Sequence, residues 1–311
     1  MIGKYLGLLK NTFQASKKAG KPWQIWAQQT MLGPNKGLNL ARCSEVIATP
    51  EIAAAVQGFC SAVLTASSGG FFRSLAAMDF FDVAWNSDDF NGYGFERSLI
   101  LDMVQKNANN AIILGGDLHD SWAWQLYDKG AMSGKPVAVN LGGPGVTSPG
   151  WGPLLGPLFN SNTAVKTALG GSDGVYKFLN DMLELQNEGL VFADIEKKGF
   201  FAVKATKTTH TAEYFLVSQT TTVTNFQTAR TASGKITAAF TCDASLLTNA
   251  ANPGELTQQS GCSAIQFQNT RPVVWTNVPV PISPVVARPA LKNCGMDGCK
   301  SKLSTKSRER E

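Results

Sequence analysis

Residues 110–114, Asn-Ala-Ile-Ile-Leu, run directly into Gly115-Gly116-Asp117-Leu118-His119-Asp120, and this junction restricts the fold of the chain more than any other stretch. A short apolar run bounded by polar residues suits a strand buried on both faces, the kind found in an α/β sheet covered by helices. In open α/β sheets, ligands and catalytic groups gather beyond the carboxyl ends of the strands, which is where the Gly-Gly-Asp-Leu-His-Asp segment falls. A second run, Val137-Ala138-Val139-Asn140-Leu141, also ends in a glycine-rich loop, residues 142–150. No Gly-Lys-Ser/Thr follows there, so that loop is not a P-loop, although it can still border a cleft.

The flanking sequence supports the same class. Tyr5, Leu6, Leu8, Leu9, Phe13 and Ala15 share a helical face, Gly20-Lys21-Pro22 breaks the helix, and Trp23 to Ala27 alternates as a strand. Helices are expected over 51–64 and 96–105, with a loop at 67–70 between short helical pieces. Beyond the 142–150 loop the chain reads mainly as β. Residues 200–206 and 212–217 are expected to pair, and the Thr/Val-rich stretch 220–241 favours strand. Proline frequency and charge after Pro279 suggest an irregular tail.

Two apart on extended chain, Asp117 and His119 point to one side. They can offer a carboxylate oxygen and an imidazole nitrogen to one metal or to two neighbouring ones. Such mixed donors suit iron, manganese or zinc, with calcium at an oxygen-rich position. Against this stands the bland reading, in which an Asp-x-His triplet arises by chance on the surface. Asp120 either accepts from a ligand imidazole or faces solvent. Arg97 is a candidate for a substrate phosphate, although an Arg opening a helix more often makes a structural ion pair. Tyr93 reads as a packed turn residue, Trp122, Trp124 and Trp151 as core, and His210 as exposed in a polar turn.

Charge and cysteines narrow the setting. The net charge is +5, but residues 1–44 hold seven basic and no acidic side chains, and residues 292–311 hold six basic and three acidic. The ends therefore carry +10 (7 + 3) and residues 45–291 carry −5. No aromatic-interleaved basic patch or nucleic-acid reader motif accompanies the basic ends, which read as solvated surface. No run of roughly 18 apolar residues is present, nor the uninterrupted apolar stretch of a leader at the start. The six cysteines fall into local pairs, 43 with 60, 242 with 262 and 294 with 299. They suit short-loop disulfides in an oxidising, secreted or periplasmic-like compartment, with free buried thiols as the alternative. A zinc site at Cys294 and Cys299 lacks a second nearby pair.

Several segments together resemble the PhoD-like (alkaline phosphatase D type) metallophosphatases. They are Trp23 to Gln29, Asn91-Gly92-Tyr93-Gly94-Phe95-Glu96-Arg97, Leu114 to Trp122, Thr147-Ser148-Pro149-Gly150 and Lys198-Gly199-Phe200, in that order. Singly they are weak; in order and spacing over residues 1–220 they are specific. The resemblance implies a metallophosphatase-type α/β sandwich, of which this chain supplies the later strands, with a β-rich C-terminal extension. It implies Asp117 and His119 as metal ligands and hydrolysis of small phosphate mono- or diesters assisted by divalent or trivalent metal. Asp120, beside the pair, and Arg97 are catalytic candidates by their own placement, with a structural role favoured for Arg97. Domain boundaries are expected at 1–225 for the family domain, 226–285 for its extension and 286–311 for a basic, mobile tail. The aspartate-bearing strand ends and cysteine ligand of the family's preceding half are not found before Asp117. The chain is therefore expected to be a fragment or a degenerate paralogue. A non-catalytic remnant that binds a partner is the alternative, and an unrelated β-rich secreted protein a third.

Overall fold

A computed structural model describes residues 2–80, 88–128, 134–145, 148–217 and 241–265. Helix α1 (Ile2–Lys18) ends where Gly20 takes φ 66. There Lys21 N donates to Ser16 O and Gly20 N to Lys17 O, which satisfies carbonyls the helix leaves open. Strand β1 (Gln24–Ala27) follows, buried and exposed in alternation as its sequence suggests. A 3-10 turn at Leu40–Val46 leads to α2 (Pro50–Thr65), α3 (Gly70–Phe80) and α4 (Gly94–Asn107).

Then come β2 (Ala111–Gly115), β3 (Ser121–Leu126) and β4 (Ala138–Gly142). Three helices succeed them: α5 (Gly152–Asn160), α6 (Thr163–Ala168) and α7 (Ser172–Gln186). This corrects the expectation that the chain beyond the 142–150 loop is mainly β, since three helices precede its strands. The apolar spacing Val175, Phe178, Leu179, Met182, Leu183 is helical, and all five side chains are buried. Strands β5 (Leu190–Asp194), β6 (Lys198–Ala205), β7 (Thr209–Val217), β8 (Thr241–Asn249) and β9 (Thr257–Gln258) complete the described chain.

Two sheets form. The first has the order β1-β2-β4-β3-β5, with β1, β2 and β4 parallel and β3 antiparallel to both its neighbours. The second is antiparallel, β6-β7-β8-β9. Successive residues of β2 serve different cores. Ile113 joins Leu9, Phe13, Trp124, Leu155 and Leu179 under the helices. Ile112 joins Val139, Leu141 and Phe192 against Ala212, Tyr214, Leu216 and Leu246 of the second sheet. Each such aliphatic side chain, wholly buried, contributes on the order of 1.5–3 kcal/mol. Tyr214 adds a polar tie, its hydroxyl donating to Trp122 O at 2.8 Å. The result is a helix layer, a mixed sheet and an antiparallel sheet, the α/β sandwich expected from the sequence.

Two expected disulfides are present, Cys43–Cys60 and Cys242–Cys262, with Cα atoms 6.5 and 6.1 Å apart. Cys294, Cys299, most of the 220–241 stretch and the 286–311 tail lie outside the described residues. From the segment expected as a β-rich extension, β8 hydrogen-bonds along β7. Glu213 on β7 holds the chain beyond β9, since its carboxylate accepts from the N–H groups of Ser263, Ala264 and Ile265. His210 is not exposed as expected: it is 1% exposed on β7 with its ring 5.7 Å from Trp23. Burial pushes its imidazole down to about 4.

Candidate functional site

Three loops meet at the carboxyl ends of β2 and β4. The chain leaving β1 covers them first: Gly116 N donates to Gln29 O at 3.1 Å. Asn140, wholly buried on β4, accepts from Leu32 N and Gly33 N at 2.7 and 3.0 Å and donates to Ile113 O. Arg97, 8% exposed, donates from Nε to Leu32 O at 2.6 Å. Burial pushes its guanidinium down to about 10, with Asp128 and Asp89 opposing. Tyr93, expected as packed, is 55% exposed.

Asp117 and His119 stand at the rim. They have φ 73 and 64, and among the described residues they are the two non-glycine positions with left-handed backbone. The extended geometry assumed from the sequence is therefore not what presents them. The loop turns, Leu118 N donates to Gly116 O, and the Leu118 side chain packs into the core under the helices. Its two neighbours are left exposed. Left-handed backbone costs an L-residue about 1–2 kcal/mol, less for Asp and His, and such strain clusters where a side chain must be presented.

His119 is oriented by a carbonyl. Its Nδ1 lies 2.8 Å from Pro149 O. A carbonyl only accepts, so Nδ1 carries the proton and a neutral ring keeps its lone pair on Nε2. The Pro149 segment is itself held by Asp120, whose Oδ2 accepts from Trp151 N at 3.0 Å. Gly150 lies against that carboxylate so closely that a Cβ there would overlap it. Asp120 is wholly buried and so does not face solvent, and the imidazole's partner is Pro149 instead. Burial raises its carboxyl to about 7; the Trp151 N–H and the Lys198 charge oppose this. Lys198, the first residue of β6, donates to His119 O at 2.7 Å and lies 3.6 Å from Asp120 Oδ1.

The structure thus gathers Asp117, His119 and Asp120 on one loop and sets Arg97 beneath the neighbouring one. Sequence reading missed the roles of Asn140 and Lys198. Lys198 heads the Lys-Gly-Phe segment, and its conjunction with the other segments was the available signal.

A carboxylate oxygen and a free imidazole Nε2 are suitable metal donors. The set is short, however: among the described residues no group of three or more His, Cys, Asp or Glu side chains could hold a metal ion. The described residues therefore do not by themselves make a complete metal shell.

The fold is thus a mixed sheet covered by helices and backed by a second sheet, with Asp117 and His119 beyond the carboxyl end of β2. The sequence model of the PhoD-like phosphatases matches residues 5–214, a span that includes all five segments singled out above. The chain belongs to the PhoD-like phosphatase family. It is 34% identical over 70 residues to alkaline phosphatase D of Bacillus subtilis (strain 168), covering 22% of this chain and 12% of that protein. A solved structure of PhoD matches 84% of this chain and 35% of its own, at 17% identity and a TM-score of 0.46. The chain thus spans a minor part of the length of both relatives.

Proposed function

We propose that this chain carries part of the active site of a metal-dependent phosphate ester hydrolase, with Asp117 and His119 as two of its metal donors. The observation that carries the reading is the orientation of His119, with Nδ1 committed to Pro149 O and Nε2 left for a ligand on an exposed rim. Proteins fix metal-binding histidines in this way. Family membership supports a phosphate ester as the substrate, which we read as a small mono- or diester. Asp120 and Arg97 act behind the site, Arg97 through the loop at Leu32. The two disulfides support an oxidising compartment. No single helix among the described residues is long and apolar enough to cross a membrane.

The absence of a three-donor group among the described residues favours a second reading, a non-catalytic binding protein built on the same rim. Metal content and hydrolysis of a chromogenic phosphate monoester and diester by the purified chain separate the two. Bound metal and turnover, both lost in Asp117→Asn and His119→Ala, support the hydrolase. Neither metal nor turnover in the parent chain removes the reading that these residues suffice to hold a metal and counts for the binding protein. Turnover retained in both variants removes the donor assignment.

A further inference from the structure

We propose that Lys198 and Asp120 are positioning residues for His119, fixing which imidazole nitrogen faces the rim. The inference rests on the reading of His119 as an Nε2 donor and adds the device that makes it one. Three segments far apart in sequence are joined here by side-chain bonds. The Lys198 ammonium holds the His119 carbonyl at 2.7 Å, and Gly145 N donates to the same oxygen at 2.8 Å. The His119 ring reaches Pro149 O, and Asp120 Oδ2 holds Trp151 N two residues further on. His119 is thus held at its backbone by Lys198 and at its ring by a segment that Asp120 anchors.

The energetics of burial favour a positioning role over a stabilising one. Asp120 is wholly buried and Lys198 is 8% exposed. Asp120 Oδ1 has no hydrogen-bond partner, and the ammonium 3.6 Å away is the charge that compensates it. Taking two such ions from water costs about as much as their attraction returns, so a buried pair adds little net stability. What it does supply is a defined geometry around a residue held at φ 64. Gly150 fits the same purpose, since a side chain there would displace the Asp120 carboxylate.

The test reads the tautomer of His119 directly and needs no turnover. The chain holds two histidines, so imidazole nitrogen NMR of the full chain labelled with 15N-histidine gives two ring systems, assigned with His210→Gln. Spectra are taken with a chelator at mildly alkaline pH, where a free imidazole is neutral. The parent chain is expected to show His119 as a single Nδ1–H tautomer. Lys198→Met and Asp120→Ala are expected to convert it to a mixture of tautomers, with the buried His210 signals unchanged as the mark of an intact fold. Asp120→Asn, which can still accept from Trp151 N, is expected to retain the single form. A parent chain whose His119 is mainly Nε2–H overturns the proposal without recourse to any variant. So do folded Lys198→Met and Asp120→Ala proteins that keep the single tautomer. Failure to bind metal would count against the hydrolase reading and leave this result standing, because the readout is metal-free.

Discussion

Asp117 occupies backbone that glycine adopts freely, with φ 73 on an exposed rim, and no core packing holds its side chain there. The conformation therefore costs stability that a residue without Cβ would recover. Replacing Asp117 by glycine and by alanine isolates that cost, because both remove the carboxylate and only alanine keeps the steric clash. The glycine variant is expected to be more stable than the alanine variant by about 1 kcal/mol, measured from denaturant midpoints at constant slope. Equal midpoints would show that position 117 is unstrained in solution. The position of Asp117 and His119 at the carboxyl end of a strand was legible in the sequence because strand and glycines run directly into them. Lys198 was not: it lies 79 residues from the carbonyl it holds, and no local pattern encodes a contact made by tertiary folding. His210 was misread for the same reason. A polar neighbourhood in sequence says nothing of the tryptophan that folds over it.

Elements raise a different question, that of the open sheet edge. Among the described residues strand β5 is the last of the first sheet and pairs there with β3 alone, so its outer N–H groups need partners. Helix α7 supplies acceptors along this edge: Glu184 Oε1 accepts from Ala193 N at 2.9 Å, and Asn180 Oδ1 from Ile195 N, just beyond the strand, at 3.2 Å. Burial raises the Glu184 carboxyl from 4.5 to about 7, and the Ala193 N–H opposes the shift. A carboxyl raised in the folded state favours folding fully below its unfolded value and loses that contribution as pH rises toward the folded one. Stability is therefore expected to fall by on the order of 2–3 kcal/mol between pH about 4.5 and 7 through this group. Glu184→Gln keeps an acceptor for Ala193 N and should remove that slope, seen as a flatter dependence of unfolding midpoint on pH. An unchanged slope would place the titration elsewhere. Helices α1, α2 and α4 and strands β1, β2, β4, β6 and β7 were legible, because each shows its period or a bounded apolar run. Strand β3 was not, since Ser121 to Leu126 is buried at nearly every position and shows no alternation. Helix α5 carries Pro157 inside it, which hides a helix from a propensity reading.

At the scale of the molecule, two cores share one sheet, and each outer layer carries its own covalent tie. Cys43–Cys60 joins the 3-10 turn after β1 to α2 in the helix layer. Cys242–Cys262 joins β8 to the segment that Glu213 holds in the second sheet. The ties close loops of 17 and 20 residues, for which loop-closure entropy gives about 3 kcal/mol each. A domain has only about 5–15 kcal/mol of net stability, so losing both approaches the threshold of unfolding. The two bonds share no partner residues, so their losses should add. Cys43→Ala/Cys60→Ala and Cys242→Ala/Cys262→Ala are each expected to lower unfolding free energy by about 3 kcal/mol, and the fourfold variant by about the sum. Cys43 and Cys60 are wholly buried, so that pair should lose somewhat more through the space left behind. Additive losses would mean that the layers unfold together in one step, through the mixed sheet whose β2 feeds both cores. A fourfold variant no less stable than either double would mean that the two layers do not share one cooperative transition.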